Sequence, residues 1–403
     1  MELIEFLSKS YTCYHAVEQG AKMLSSAGFV NIDKPTKKDN PVGYFRVAGG
    51  SLFAYKTGSG LNIVLAHTDS PSLRVRYDGT LALTGNASLD VEKYGGGILR
   101  SFIDRKLKIA GRLIVKSGDT LESKTVCSDF NLSIPSLAIH LGGGSEELTV
   151  SRDLRPLIGK CENLYDALGY KNALSGDLYC VPGEPPFYSG AEDEYLCSPR
   201  IDNLVSVYCA ISAIIGCENK SGCLVACYDA EETGSETRYS AGSSLLTAFL
   251  SDCIKACGES RSVEEKLHTA FAFSCDGAHA LHPMRREKYG ENAPELSGGV
   301  VIKRNDRYAT DALTAAAAKE IFTLAGVKYQ TYYHHPDLRC GSTIGLTSAR
   351  NLGVATCDIG VGQLSMHSAL ETAAAEDIQS LETALKKFFS LEVISNGDKI
   401  TVK

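Results

Sequence analysis

Apolar and polar positions along the chain change period twice. From residue 15 to 27 apolar side chains recur at helical spacing and stop at Gly28, and short strand-like runs follow at 51 to 56 and 61 to 66. From about 76 to 197 the texture shifts to short apolar runs such as "GRLIVK" and "SLAIHL", punctuated by glycine, proline and serine, which predicts a mostly β module. After "SPRIDN" helices and strands alternate again. Helices are predicted at 202 to 216, 242 to 256, 310 to 325 and near 342 to 351, and strands at 223 to 228, 269 to 275, 300 to 303 and 354 to 359, before a long C-terminal helix. Such alternation marks a sheet covered by helices on both faces. The expected architecture is therefore a three-layer α/β/α domain made of 1 to 75 and 198 to 403, with a β-rich module, 76 to 197, inserted into it.

A length of 403 residues favours two domains over one. A net charge of -7, without a basic tail or lysine-rich run, argues against a nucleic-acid or anionic-membrane binder and for a small-molecule or peptide partner. The opening residues lack the succession of a signal peptide, and no apolar run is long enough to span a bilayer. The expected location is the cytoplasm. Fourteen cysteines scattered through apolar segments read as reduced core thiols; the four-residue spacings of Cys223 with Cys227 and of Cys253 with Cys257 lack partners for a structural zinc.

Four apolar strands run directly into acids or histidines: "NIVLAHTD" at His67 and Asp69, "LVACYDAEE" at Glu231 and Glu232, "TAFAFSCD" at Asp276, and "ATCDIGVGQLSMH" at His367. In open α/β sheets ligands bind beyond the carboxyl ends of strands, so these sites can converge in space. Asp202, opening the helix "DNLVSVYCAISAII", is a fifth candidate. Each has a plain alternative: Asp202 as a helix cap, Asp276 as a turn residue, either histidine as a structural one. His279 and His282 read as structural or supporting residues, and His334 and His335 as surface or pocket residues. Taken together, two histidines, two aspartates and adjacent glutamates in an apolar setting are costly unless cations balance them. Three carboxylate ligands, Asp202, Glu232 and Asp276, with one hydroxide neutralise two dications. Imidazole with carboxylate suits zinc, with cobalt or manganese possible. One glutamate of the pair then binds metal while its neighbour is free to carry protons.

At these residues the sequence resembles the aspartyl aminopeptidase family of two-zinc metallopeptidases. The strings "AHTDSPSLRV", "YGGGILRSFIDRKLKIAGRLIV", "IPSLAIHL", "SPRIDNL", "EETGS", "DGAHALHP", "CGSTIG" and "QLSMHS" follow that family's order through nearly the whole chain. The resemblance implies that Asp202 bridges two metals, with His67 and Asp276 completing one site and Glu232 and His367 the other. It implies that Glu231 is the general base and that Asp69 orients the His67 imidazole. It also implies that the inserted module mediates dimerisation, that subunits assemble as homo-oligomers up to dodecamers, and that His140 reaches into a neighbouring subunit's active site. As a bare sequence feature His140 reads as a strand histidine.

Enzymes of the family remove N-terminal Asp or Glu from peptides, while some relatives prefer neutral residues such as Leu. Lys303, ending "GVVIK", stands where the family places a pocket lysine, with a lysine snorkelling off a strand end as the alternative. The segment "HHPDLRCGSTIG" departs from the family's Asp-Met-Pro-Cys-Gly form, with Leu338 and Arg339 in place of methionine and proline. The expected function is a peptide-trimming zinc aminopeptidase specific for Asp or Glu. Its competitors are a broad or leucine-preferring enzyme on the same scaffold and an inert assembly protein.

Overall fold

The computed structural model describes residues 1–34, 41–83, 86–144 and 147–403, apart from the side chains of residues 77–83, 86 and 87. Its centre is a nine-stranded sheet in the order Val30–Asn31, Tyr44–Ala48, Ser51–Lys56, Gly222–Tyr228, Leu61–His67, Phe271–Cys275, Ala355–Gly360, Val300–Arg304, Tyr329–Tyr333. The four strands from Gly222–Tyr228 to Ala355–Gly360 in that order are mutually parallel. Every residue of Leu61–His67, Gly222–Tyr228 and Phe271–Cys275 is buried, because both faces of the sheet are covered and alternate residues point to opposite layers.

One layer packs Val64, Ala66, Val225, Cys227, Phe271 and Phe273 against helices Cys13–Ser26, Ile201–Gly216, Ala312–Ala325 and Ala375–Ser390. The other packs Ile63, Leu65, Leu224, Ala226 and Ala272 against Leu245–Cys257, Val263–His268 and Ile344–Leu352. This is the expected three-layer α/β/α core.

The β-rich module is a six-stranded sheet, ordered Thr120–Cys127, Leu107–Ser117, Ala173–Pro182, Ser72–Leu83, Asn86–Tyr94, Leu157–Gly159. All its pairings are antiparallel, and Leu73, Leu89, Val91, Phe102, Leu107, Ile109 and Leu178 lead its own core. Strands Phe187–Ser189 and Tyr195–Ser198 pair elsewhere. They join Ala278–His279, Gly362–Leu364 and Glu371–Ala374 in a five-stranded sheet beside the central one.

Several elements escape the sequence pattern. Val263–His268 is a single short helix opened by a Ser262–Glu265 capping box, too brief to show a period. Tyr329–Tyr333 is an edge strand with mixed exposure, and the chain continues past its last helix into the hairpin Val393–Asn396 and Lys399–Val402. The segment "SLAIHL" is not a strand. No strand among the described residues pairs with it; it ends in a single 3-10 turn, Ile139–Leu141, whose apolar side chains stay exposed.

Candidate active site

The four parallel strands end at one edge of the sheet, and the acids and histidines that follow them meet there. His67, the last residue of Leu61–His67, is buried, with Nε2 3.5 Å from Asp202 Oδ1 and 3.4 Å from Asp276 Oδ1. His367 Nε2 lies 3.2 Å from the other Asp202 oxygen and 3.3 Å from Glu232 Oε1. The two oxygens of Asp202 thus face two different imidazoles. Three clusters have donor atoms all within 4.8 Å of one another: His67 with Asp202 and Asp276, Asp202 with Glu232 and His367, and His67 with Glu231 and Glu232.

The backbone is bent to deliver these groups. Ala230, immediately before Glu231, has φ +61°, and His367 itself has φ +68°, conformations that non-glycine residues keep only when the surroundings impose them. Asp202 follows Arg200, also left-handed at φ +63°, and the Asp202–Asn203 peptide is cis. Gly95 of the β-rich module closes over the site: a Cβ there would stand 3.2 Å from Glu232 Oε2.

Hydrogen bonds fix the segments that carry these acids and histidines. His67 Nδ1 lies 3.0 Å from the Asp69 carbonyl oxygen and 3.5 Å from its carboxylate. That carboxylate accepts the backbone N–H groups of Glu231 and Glu232, each at 3.1 Å, and the Tyr94 hydroxyl at 2.8 Å. Asp69 therefore orients the glutamate pair with its side chain and faces the imidazole chiefly with its main chain. Glu371 was not legible as a site residue. Buried four positions after His367, it accepts the backbone N–H of His367 at 2.6 Å and of Asp202 at 2.9 Å, tying together segments distant in sequence. Glu371 in "SALETAAAED" follows no apolar strand run and carries no sequence signal of this. Tyr94, reaching over from the other module, was equally hidden.

The electrostatics are those of crowded acids. Burial pushes the Glu231 carboxyl up to about 8, opposed by His67 and reinforced by Asp276, Asp69 and Asp202. Burial likewise drives Glu232 well above the carboxylate range, against the pull of His367. Both imidazoles are pulled up in spite of their burial, His67 by the oxygens of Asp202, Asp276 and Asp69, and His367 to about 10 by Asp202 and Glu232. A metal ion fits this donor set. Imidazole with carboxylate is a zinc environment, and the buried Asp202 Oδ1 and Glu232 Oε1 have no hydrogen-bond partner among the described residues.

The other two candidates fall differently. Lys303 lies beneath the site, almost wholly buried, donating to the carbonyl oxygens of Asp276 at 3.1 Å and Gly277 at 3.0 Å. Its ammonium is 3.5 Å from the Asp276 carboxylate and rests 5.1 Å over the Tyr308 ring. His140 does not join the cluster; it sits exposed in the 3-10 turn of the β-rich module. Beside His367 a cavity of about 380 Å³ is lined by His279, His282, His334, Tyr289, Tyr332 and Gln363 among others, giving four histidines, His367 included, and two tyrosines to the crevice wall.

Comparison with known proteins agrees with this geometry. The family model described as aminopeptidase I zinc metalloprotease (M18) matches residues 6–166 and 157–389. The probable M18 family aminopeptidase 2 of Mycobacterium leprae (strain TN) is 35% identical over 420 residues, covering 97% of this chain and 98% of its own. The cryo-EM structure of the Ape4 and Nbr1 complex contains a chain similar at TM-score 0.87 and 31% identity, over 96% of this chain and 84% of that one. The S. cerevisiae mApe1 dodecamer shares the fold at TM-score 0.81 and 23% identity, over 96% and 95% of the two chains. With a family model spanning most of its length and a relative matched almost end to end, the chain belongs to the M18 family of zinc metalloproteases and is an aminopeptidase.

Proposed function

We propose that the enzyme removes N-terminal Asp or Glu from peptides at a centre of two zinc ions, with Glu231 as general base. One observation carries the two-metal reading: the Asp202 oxygens divide between His67 and His367, making two adjoining donor clusters that share one carboxylate. His67, Asp202 and Asp276 would hold one ion, and Asp202, Glu232 and His367 the other, with cobalt or manganese fitting the same donors. Two such ions, when bound, polarise the scissile carbonyl and make water a nucleophile near neutral pH.

The residues do the rest. Glu231, raised by burial toward neutral pH, accepts a proton from the attacking water on its carboxylate and returns it to the leaving amine. Asp69 and Glu371 keep the donor segments in register through the backbone N–H groups they accept. Lys303 supplies positive charge at the floor of the crevice for an acidic side chain.

The insert, residues 76 to 197, works as the dimerisation module, and His140 completes a neighbouring subunit's site. Exposed Leu137, Ile139 and Leu141 around that histidine support an interface, as does the dodecameric assembly of the yeast homologue. None of the fourteen cysteines is in a disulfide, which suits work on peptides in the cytoplasm.

A broad or leucine-preferring enzyme is the second reading. It is favoured by the commitment of Lys303 to two backbone carbonyls, which leaves less of the ammonium for a substrate. A panel of Asp, Glu, Asn and Leu chromogenic amides separates the two. Cleavage of the acidic pair alone, lost on chelation and restored by zinc, cobalt or manganese, supports the first. Leucyl cleavage at equal rate rejects it. Lys303→Met should depress aspartyl cleavage selectively; equal rates on all four amides in the variant and the parent remove Lys303 from specificity.

A further inference from the structure

The cavity beside His367 has no part in the chemistry proposed above, and its wall differs in charge from the centre it adjoins. The centre is crowded with carboxylates, whereas none of the described residues lining the cavity is acidic and one of them, Lys288, is a cation. The carboxylate next to that lysine in sequence is already engaged, Glu287 accepting from Arg285 at 2.7 Å. Lys303, Tyr308 and Asp276 are not among the lining residues, while His367 is. The cavity therefore opens from the His367 side of the donor clusters, not from the side on which Lys303 meets Asp276.

One tyrosine organises the wall. Tyr332, on the edge strand Tyr329–Tyr333, is buried, and its hydroxyl lies 2.6 Å from His334 Nδ1 and 3.4 Å from His279 Nδ1. A hydroxyl carries one proton, so it donates to one imidazole and accepts from the other. Burial lowers His279 to about 4 and pulls His334 down as well, so both rings are neutral near pH 7. Their remaining nitrogens then play opposite parts, one an N–H donor and the other a lone-pair acceptor. His334 Nε2 has no hydrogen-bond partner among the described residues. A donor beside an acceptor matches a peptide group, which offers one carbonyl and one N–H.

We propose that this cavity is the subsite for the leaving part of the substrate and selects short peptides by their free C-terminal carboxylate, which Lys288 pairs while His279 and His334 meet the peptide backbone. The inference rests on the reading above in one respect, that the N-terminal residue lies on the Lys303 side; the rest of the chain must then run past His367. A volume of about 380 Å³ is near the lower end of the range for ligand sites, room for roughly one or two residues before the chain ends. An ammonium without an acidic neighbour in the wall is free to take a carboxylate, and a charge-assisted hydrogen bond there favours the acid over its neutral amide.

The test is hydrolysis of the dipeptides Asp-Ala and Leu-Ala, each as the free acid and as the C-terminal amide, by the zinc-loaded full-length enzyme. For whichever dipeptide is cleaved, kcat/KM should be about three- to tenfold higher for the acid than for the amide. Lys288→Met should bring that ratio to about one, and Lys288→Arg should keep most of it. Because the ratio compares two substrates on one protein, loosening of the fold or loss of metal cancels from it. A preference for Leu-Ala with the acid-to-amide ratio intact would overturn the acidic-residue reading and support this subsite. Equal rates on acid and amide in the parent, or a ratio that survives in Lys288→Met, would overturn the subsite and leave the acidic-residue reading standing.

Discussion

Glu231 and Glu232 are neighbours in sequence with different surroundings, and the difference separates their chemistry. Glu232 Oε1 faces His367 and belongs to a donor cluster with Asp202, while Glu231, among the described residues, clusters with His67 and Glu232 itself. Glu231→Gln should lower kcat by about a hundred- to ten-thousand-fold while the protein retains its bound metal, as read by steady-state kinetics beside elemental analysis. A proportional loss of metal would instead make Glu231 a ligand. Glu371 acts through others. Burial and the Asp202 charge push its carboxyl up to about 8, and both its oxygens accept backbone N–H groups. Glu371→Gln can satisfy only one of them, so metal affinity measured by competition with a chelator should fall about ten- to a hundredfold. His67, Asp202, Asp276 and His367 were readable because each follows or opens an apolar element. Glu371 and Tyr94 were not, because a supporting residue is defined by what it touches.

At the scale of elements, the site depends on how closely strand ends approach. Gly360, the last residue of Ala355–Gly360, runs against the strand that delivers Asp276, and a Cβ there would sit 1.8 Å from the Asp276 carbonyl oxygen. Gly360→Ala should therefore destabilise the fold by about 1–3 kcal/mol in urea unfolding and weaken metal binding together, since the displaced backbone carries a donor. An unchanged unfolding midpoint would show that the strands part without cost. Long buried strands and amphipathic helices showed in the pattern because two covered faces leave an unbroken apolar run. Tyr329–Tyr333 and Val263–His268 did not, since an edge strand mixes exposures and a six-residue helix is too short to show a period.

For the whole molecule, the exposed cluster of Leu137, Ile139 and Leu141 stands out on the β-rich module, and Leu137 and Ile139 line a cavity of about 940 Å³. Ile139→Asp should shift the protein to a smaller species in size-exclusion chromatography with light scattering, and should lower activity if His140 serves a neighbouring subunit. A species of unchanged size would exclude this surface as an interface. What the sequence by itself determined was the layers and the edge where polar residues gather: unbroken apolar runs alternating with apolar positions of period 3.6 specify a sheet covered on both faces, and polar residues after those runs mark its carboxyl edge. Only the tertiary structure decided which atom meets which. Asp202 divides its oxygens between two histidines, Asp69 turns its side chain to the glutamates, Lys303 is taken up by carbonyls, and "SLAIHL" stays outside any sheet. Local pattern encodes burial, which each residue carries in its own side chain; partnership depends on the register of strands remote in sequence, which no local pattern records.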